Sequence, residues 1–132
     1  MPASPTASAL GTIGQITLTV SNLERAVAFY RDALGLPLLF QAPPGLAFFN
    51  AGGIRLMLSI PEGEFKPGTS SVIYFKISGI EATHAALKKR GVGFVDEPHL
   101  ITRMPDHELW MTFFKDPDGN GLALMEEKKL VS

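Results

Sequence analysis

An α+β fold built from two βαβββ modules is predicted by three observations. Each half of the chain opens with strand-type alternation of apolar and polar residues. Each of those strands leads into a helix-start signature, Ser-x-x-Glu. The second copy follows the first at a common offset of 57 residues, Ser78 against Ser21 and Glu81 against Glu24 (78 − 21; 81 − 24). A period of this length is the mark of duplicated units that share a core.

The elements follow in order. Residues 14–20 alternate so that Ile16, Leu18 and Val20 share one face of a half-buried strand. Ser21 and Glu24 then form a capping box, and apolar residues at Leu23, Ala26, Val27, Tyr30 and Leu34 mark an amphipathic helix of about three turns that Gly35 stops. Strand-like runs at 37–41, 46–51 and 54–60 complete the first module, separated by Pro43-Pro44-Gly45 and Gly52-Gly53. The second module repeats the plan: a strand over 71–77, a capping box at Ser78 and Glu81, a helix over Ile80 to Arg90 stopped by Gly91, and strands at 92–96, 107–114 and 121–126. Asp116 to Asn120 has the Pro, Gly and Asn that a tight reversal needs, so the last two strands form a hairpin. The expected organisation is a flexible tail over 1–12 and a single domain over 13–132, with modules at 13–62 and 70–128 joined by the Gly- and Pro-rich stretch 63–70.

Composition narrows the function classes. A chain of 132 residues, 45% hydrophobic and 19% charged, suits one globular domain. A net charge of −1 with scattered basic residues leaves no footprint for nucleic acid. The absence of Cys removes disulfides and thiolate sites and makes a cytoplasmic location the default expectation. The first nine residues lack the basic and apolar regions of a signal peptide, and no stretch is long and apolar enough to span a membrane.

The segments Ser21 to Gly35 and Trp110 to Met125 together resemble the vicinal oxygen chelate superfamily of glyoxalase, bleomycin-resistance and extradiol dioxygenase relatives, over nearly the whole chain after the first dozen residues. The resemblance implies a cupped mixed sheet around a cleft, homodimerisation, and in metal-using relatives a divalent ion held by the first and last strands of each module. Carried over position by position, those ligand slots fall on Gln15, Met57, Val72 and Ala123. Only Gln15 keeps a donor that hard or borderline cations favour; a thioether, an isopropyl group and a methyl group do not replace His or carboxylate. Glu127 shares the face of Ala123 but lies about 13 Å further along a strand, so a local register slip does not restore the site. No cofactor is therefore expected, and Zn, Ni, Mn or Fe enters only if an atypical site exists.

Other constellations carry candidate chemistry. Residues 116–121 with Glu127 satisfy a written calcium-loop pattern, but the flanks are strands and not the helices an EF-hand requires. His99 and His107, with Arg103, Asp106 and Glu108, are the densest ionisable cluster, expected on a loop at the mouth of the cup; His107, His99 and Glu108 are the catalytic candidates. His84, on the packed side of the second helix, reads as structural. Trp110 shares a strand face with Glu108, Thr112 and Phe114, opposite His107, Leu109, Met111 and Phe113, and alternation leaves open which face lines the cup. If it is the Trp110 face, a flat ligand would stack there with Phe48 or Phe49 and Met57. Arg55 and Tyr74 are candidate anchors for a polar or anionic group.

These readings favour a small-molecule binding protein with an apolar or aromatic ligand and no standard metal centre, resembling the drug-sequestering branch of the superfamily. The alternative is a glyoxalase-like lyase, isomerase or dioxygenase that uses an atypical metal or acid–base residues. A third possibility is an interaction module with a vestigial cleft.

Overall fold

The computed structural model describes residues 9–67 and 71–130. The part of the expected tail at 1–8, residues 68–70 of the linker and the last two residues lie outside the described residues.

Two four-stranded sheets repeat one topology. In the first, β1 (Gln15–Thr19), β2 (Leu38–Ala42), β3 (Leu46–Ala51) and β4 (Ile54–Ser59) take the order β1-β4-β3-β2. In the second, β5 (Ile73–Lys76), β6 (His99–Arg103), β7 (His107–Lys115) and β8 (Gly121–Lys129) take the order β5-β8-β7-β6. In both, the first strand runs parallel to the last while the remaining pairs are antiparallel. The crossover in each is a helix: α1 (Leu23–Val27), which continues as a π-helical segment (Ala28–Ala33), and α2 (Ile80–Lys89).

Period-2 alternation fixes which side chains are buried. Leu18, Phe49, Leu56 and Leu58 point to the helix side of the first sheet and join Ala26, Val27 and Tyr30 in the core. Phe114, Leu122 and Leu124 do the same under α2 with Ile80 and Leu87. Each such Leu, Ile, Val or Phe side chain stabilises the fold by about 1.5–3 kcal/mol through burial.

Both helices exist, but neither capping box forms. Asn22, not Ser21, caps α1 by accepting from the Arg25 amide, and Ser21 turns away to Asp118. The N-cap of α2 is Gly79 at φ +79°, where a Cβ would be strained, and the orphan amides of Gly79 and Ile80 donate to the Glu126 carboxylate from β8 (2.9 and 2.8 Å). Two further expectations change. The run 92–96 is reduced to a single bridge, Phe94 to Phe114, and the expected loop over 99–106 contains the edge strand β6.

The modules are tied through the β7–β8 turn, whose Asp116, Asp118 and Asn120 side chains are buried. Asp116 receives the backbone amides of Asp118 and Asn120 on one oxygen, and the Tyr30 hydroxyl and Asn120 amide on the other. Asp118 accepts from the Ser21 amide and hydroxyl and pairs with Arg25, while its other oxygen is buried without a partner among the described residues. Burial and the Asp116 carboxylate push the Tyr30 phenol far above its ordinary value.

Candidate functional site

Each sheet has one face packed under its helix and one open face. On the first sheet the open face carries Gln15, Thr17 and Thr19 from β1, Phe48 from β3, and Arg55, Met57 and Ser59 from β4, because register partners share a face. Phe49, predicted as a stacking residue, belongs to the other face. It is fully buried with its ring 6.0 Å from Tyr30, and Phe48 supplies the open-face ring.

The side chains of this face interlock. Arg55 Nε donates to the Gln15 amide oxygen (2.8 Å), and the guanidinium carbon lies 5.3 Å from the Phe48 ring centroid. Phe48 in turn stacks on Phe40 of β2, centroids 4.5 Å apart and planes at 25°. Gln15 Nε2 lies 3.8 Å from the Met57 sulfur. A cavity of about 540 Å³ lies over the Thr17 and Thr19 end, walled by Pro61, Glu62, Glu64, Phe65, Lys66 and Asn120.

On the second sheet, pairing of Tyr74 with Ala123 and of Ala123 with Phe113 places the open face on the odd-numbered side of β7 and β8: His107, Leu109, Met111, Phe113, Ala123, Met125 and Glu127. Tyr74 meets Phe113 edge-on at 6.0 Å. Trp110 and Glu108 are on the opposite side, under α2, so the question of facing is resolved against them. Trp110 donates to Glu108, receives the Lys128 ammonium 4.3 Å above its ring, and packs against the core. Glu108 is held by Arg103, whose hydrogen bond, ahead of that from Trp110, keeps the carboxyl below the usual range. It is therefore separated from the two His residues with which it was grouped.

The His residues are separated as well. His99 lies opposite Met111, four positions along β7 from His107, so roughly 13 Å divides them. His99 Nδ1 lies 2.7 Å from the Glu97 carbonyl oxygen. His107 Nδ1 is 2.8 Å from Asp106 Oδ1, and its Nε2 is 3.9 Å from Glu127, which also pairs with Lys76 at 3.0 Å. The hydrogen bond to His107 holds the Asp106 carboxyl below its ordinary value. The His107 ring thus lies between two carboxylates, Asp106 on Nδ1 and Glu127 facing Nε2. The same site was reachable from sequence only as a charge cluster, since its Glu127 and Lys76 members come from other strands.

The four ligand slots implied by the resemblance do not offer a metal a donor set. Gln15 and Met57 are adjacent, but the Gln15 oxygen already accepts from a guanidinium; Val72 is a half-exposed aliphatic residue, and Ala123 a buried methyl beside Tyr74. Among the described residues no three His, Asp or Glu side chains converge as a ligand group.

Comparison with known proteins agrees with the architecture. The model of the Glyoxalase/Bleomycin resistance protein/Dioxygenase superfamily matches residues 12–124. The metallothiol transferase FosB of Staphylococcus epidermidis is 31% identical over 117 residues, which are 85% of this chain and 81% of that one. Among solved structures, a superfamily member from Sphaerobacter thermophilus superposes with a TM-score of 0.72 at 28% identity, over 89% of this chain and 98% of the other. The lactoylglutathione lyase of Agrobacterium tumefaciens superposes at 0.70 with 22% identity, over 89% and 94%, a likeness of fold. The chain belongs to the Glyoxalase/Bleomycin resistance protein/Dioxygenase superfamily.

Proposed function

We propose that this chain is a small-molecule binding member of the superfamily that works without the family's usual metal centre, in the manner of the drug-sequestering branch. The observation that carries the reading is the replacement of the implied ligand set by Gln15, Met57, Val72 and Ala123, alongside open faces lined by Phe48, Met57, Tyr74, Met111 and Phe113. Flat apolar surfaces with a few placed polar groups are what small organic ligands select. A ligand-observed NMR screen of aromatic compounds in the presence of chelator tests it. The expected result is saturable binding that Phe48→Ala or Tyr74→Ala weakens; binding that appears only after a divalent metal is added would contradict it.

A second reading, supported by Asp106 beside His107, is acid–base chemistry of a glyoxalase-like lyase, isomerase or dioxygenase type. The thiol transfer named for the staphylococcal relative belongs to this reading too. His99 is a candidate helper at the far end of the same face. A turnover lost in His107→Gln and retained in Glu108→Gln would move this reading to the front. We further propose a cytoplasmic homodimer. No helix among the described residues is long and apolar enough to cross a membrane. The edge strand β6 leaves Leu100 and Ile101 exposed, a natural surface for pairing. Sedimentation is expected to give twice the chain mass, reduced to one chain mass by Leu100→Lys; one chain mass for the unaltered protein would overturn the dimer.

A further inference from the structure

We propose that the open face of the second sheet carries a soft-metal site, separate from the family's ligand slots, in which His99, Met111 and Met125 bind Cu(I). The strand register brings the three together. His99 of β6 lies directly opposite Met111 of β7, and Met111 directly opposite Met125 of β8, so the side chains form one row on one face of adjacent strands. Directly opposed residues have Cβ atoms about 4.5–5.5 Å apart, a spacing over which two flexible thioethers and an imidazole can close on a single ion. The His99 ring lies over this same face, its centroid 6.4 Å from that of Phe113, two residues along β7 from Met111. Both methionines are half-buried, which leaves their sulfurs within reach of an ion from solvent.

The imidazole is already oriented as a ligand. His99 Nδ1 is 2.7 Å from the Glu97 carbonyl oxygen, and because a carbonyl only accepts, Nδ1 carries the ring proton. The lone pair is therefore on Nε2, which has no partner among the described residues. A backbone carbonyl that fixes the tautomer in this way is the usual outer partner of a metal-binding histidine.

The donor set selects the ion. Two thioethers and a neutral imidazole are soft or borderline and bring no charge, whereas hard divalent ions take carboxylate and carbonyl oxygens. Thioether sulfur favours Cu(I). The surrounding charges do not oppose a monovalent cation. Lys76, the register partner of Met125, is paired at 3.0 Å with Glu127, and the Asp96 carboxylate stands 3.9 Å from His99 Nδ1. Leu109 and Phe113 flank Met111 on the same face and supply the apolar surroundings that limit access of water. The site goes beyond the small-molecule reading and does not depend on it.

The test uses the full, untagged chain without oxygen, with Cu(I) supplied as its acetonitrile complex and counted after desalting. Ag(I) serves as a redox-inert probe in NMR of the methionine methyls and histidine rings. The expected result is one Cu(I) per chain, with Ag(I) shifting the Met111 and Met125 methyls and the His99 ring while Met104 stays unmoved. Met111→Leu and His99→Gln are each expected to lose the stoichiometric copper, and Met104→Leu to keep it. Leucine preserves the volume of methionine, so the Met variants are expected to keep the native amide spectrum. Absence of copper after desalting, or copper retained by both Met111→Leu and His99→Gln, would overturn the site. Ag(I) shifts confined to Met57 or Met104 would overturn it as well.

Discussion

Phe48 and Phe49 are adjacent in the chain and do opposite work. Phe49 is enclosed by the first core against Tyr30, so Phe49→Ala is expected to cost about 3–5 kcal/mol in a urea titration. Phe48 lies on the open face under Arg55, so Phe48→Ala is expected to cost less stability and to weaken aromatic ligands instead. The reverse pattern would show the faces to be misassigned. Alternation made the opposition of two neighbouring side chains legible from sequence, but not which of them is inside, because both faces of β3 and β7 are apolar. Trp110 shows the same limit: a single large ring suits a ligand platform and a core equally well, and only the packing of α2 against Glu126 and Lys128 decides. The pairing of Arg55 with Gln15, across 40 positions, has no local signal at all.

At the scale of elements, periodicity found both helices and most strands, and failed where a partner from elsewhere supplies the missing group. The Ser-x-x-Glu signature correctly marked each helix start, yet Asn22 caps α1 and Glu126 reaches across from β8 to α2. Glu126→Gln is accordingly expected to lower stability by about 1 kcal/mol, and Ser78→Ala to be nearly neutral, in thermal or denaturant melts. Equal costs would restore the local capping box. The edge strand β6 carries no strand signal in the sequence because all five of its residues are exposed and Pro98 and Pro105 flank it, so no apolar-in, polar-out alternation is imposed. The run 92–96 read as a strand because of Val92, Phe94 and Val95, but Gly93 and Asp96 interrupt it, and Asp96 instead accepts from Thr112 and the Phe113 amide.

At the scale of the whole molecule, the two modules meet through Tyr30, Asp116 and Asp118, a joint that the sequence presented only as a turn. Its pH dependence has a definite sign. Since the folded phenol of Tyr30 is raised, the unfolded chain releases that proton first; the contribution is complete below the ordinary tyrosine value of about 10 and is lost as pH rises beyond it. Tyr30→Phe is expected to flatten that alkaline loss while lowering stability at neutral pH, because Asp116 loses one of its four donors. An unchanged alkaline slope would separate Tyr30 from the joint. The duplicated fold itself was legible, since the 57-residue offset and paired helices survive in both halves; the family's chemistry was not, since it depends on four positions whose donors are exchanged for Met57, Val72, Ala123 and an arginine-bound Gln15. Elemental mass spectrometry of the purified chain, before and after incubation with Zn, Ni, Mn and Fe, tests most directly whether those four positions hold a metal. Far less than one ion per chain is expected under every condition; close to one ion per chain would restore a metal centre and bring metal-assisted catalysis to the fore.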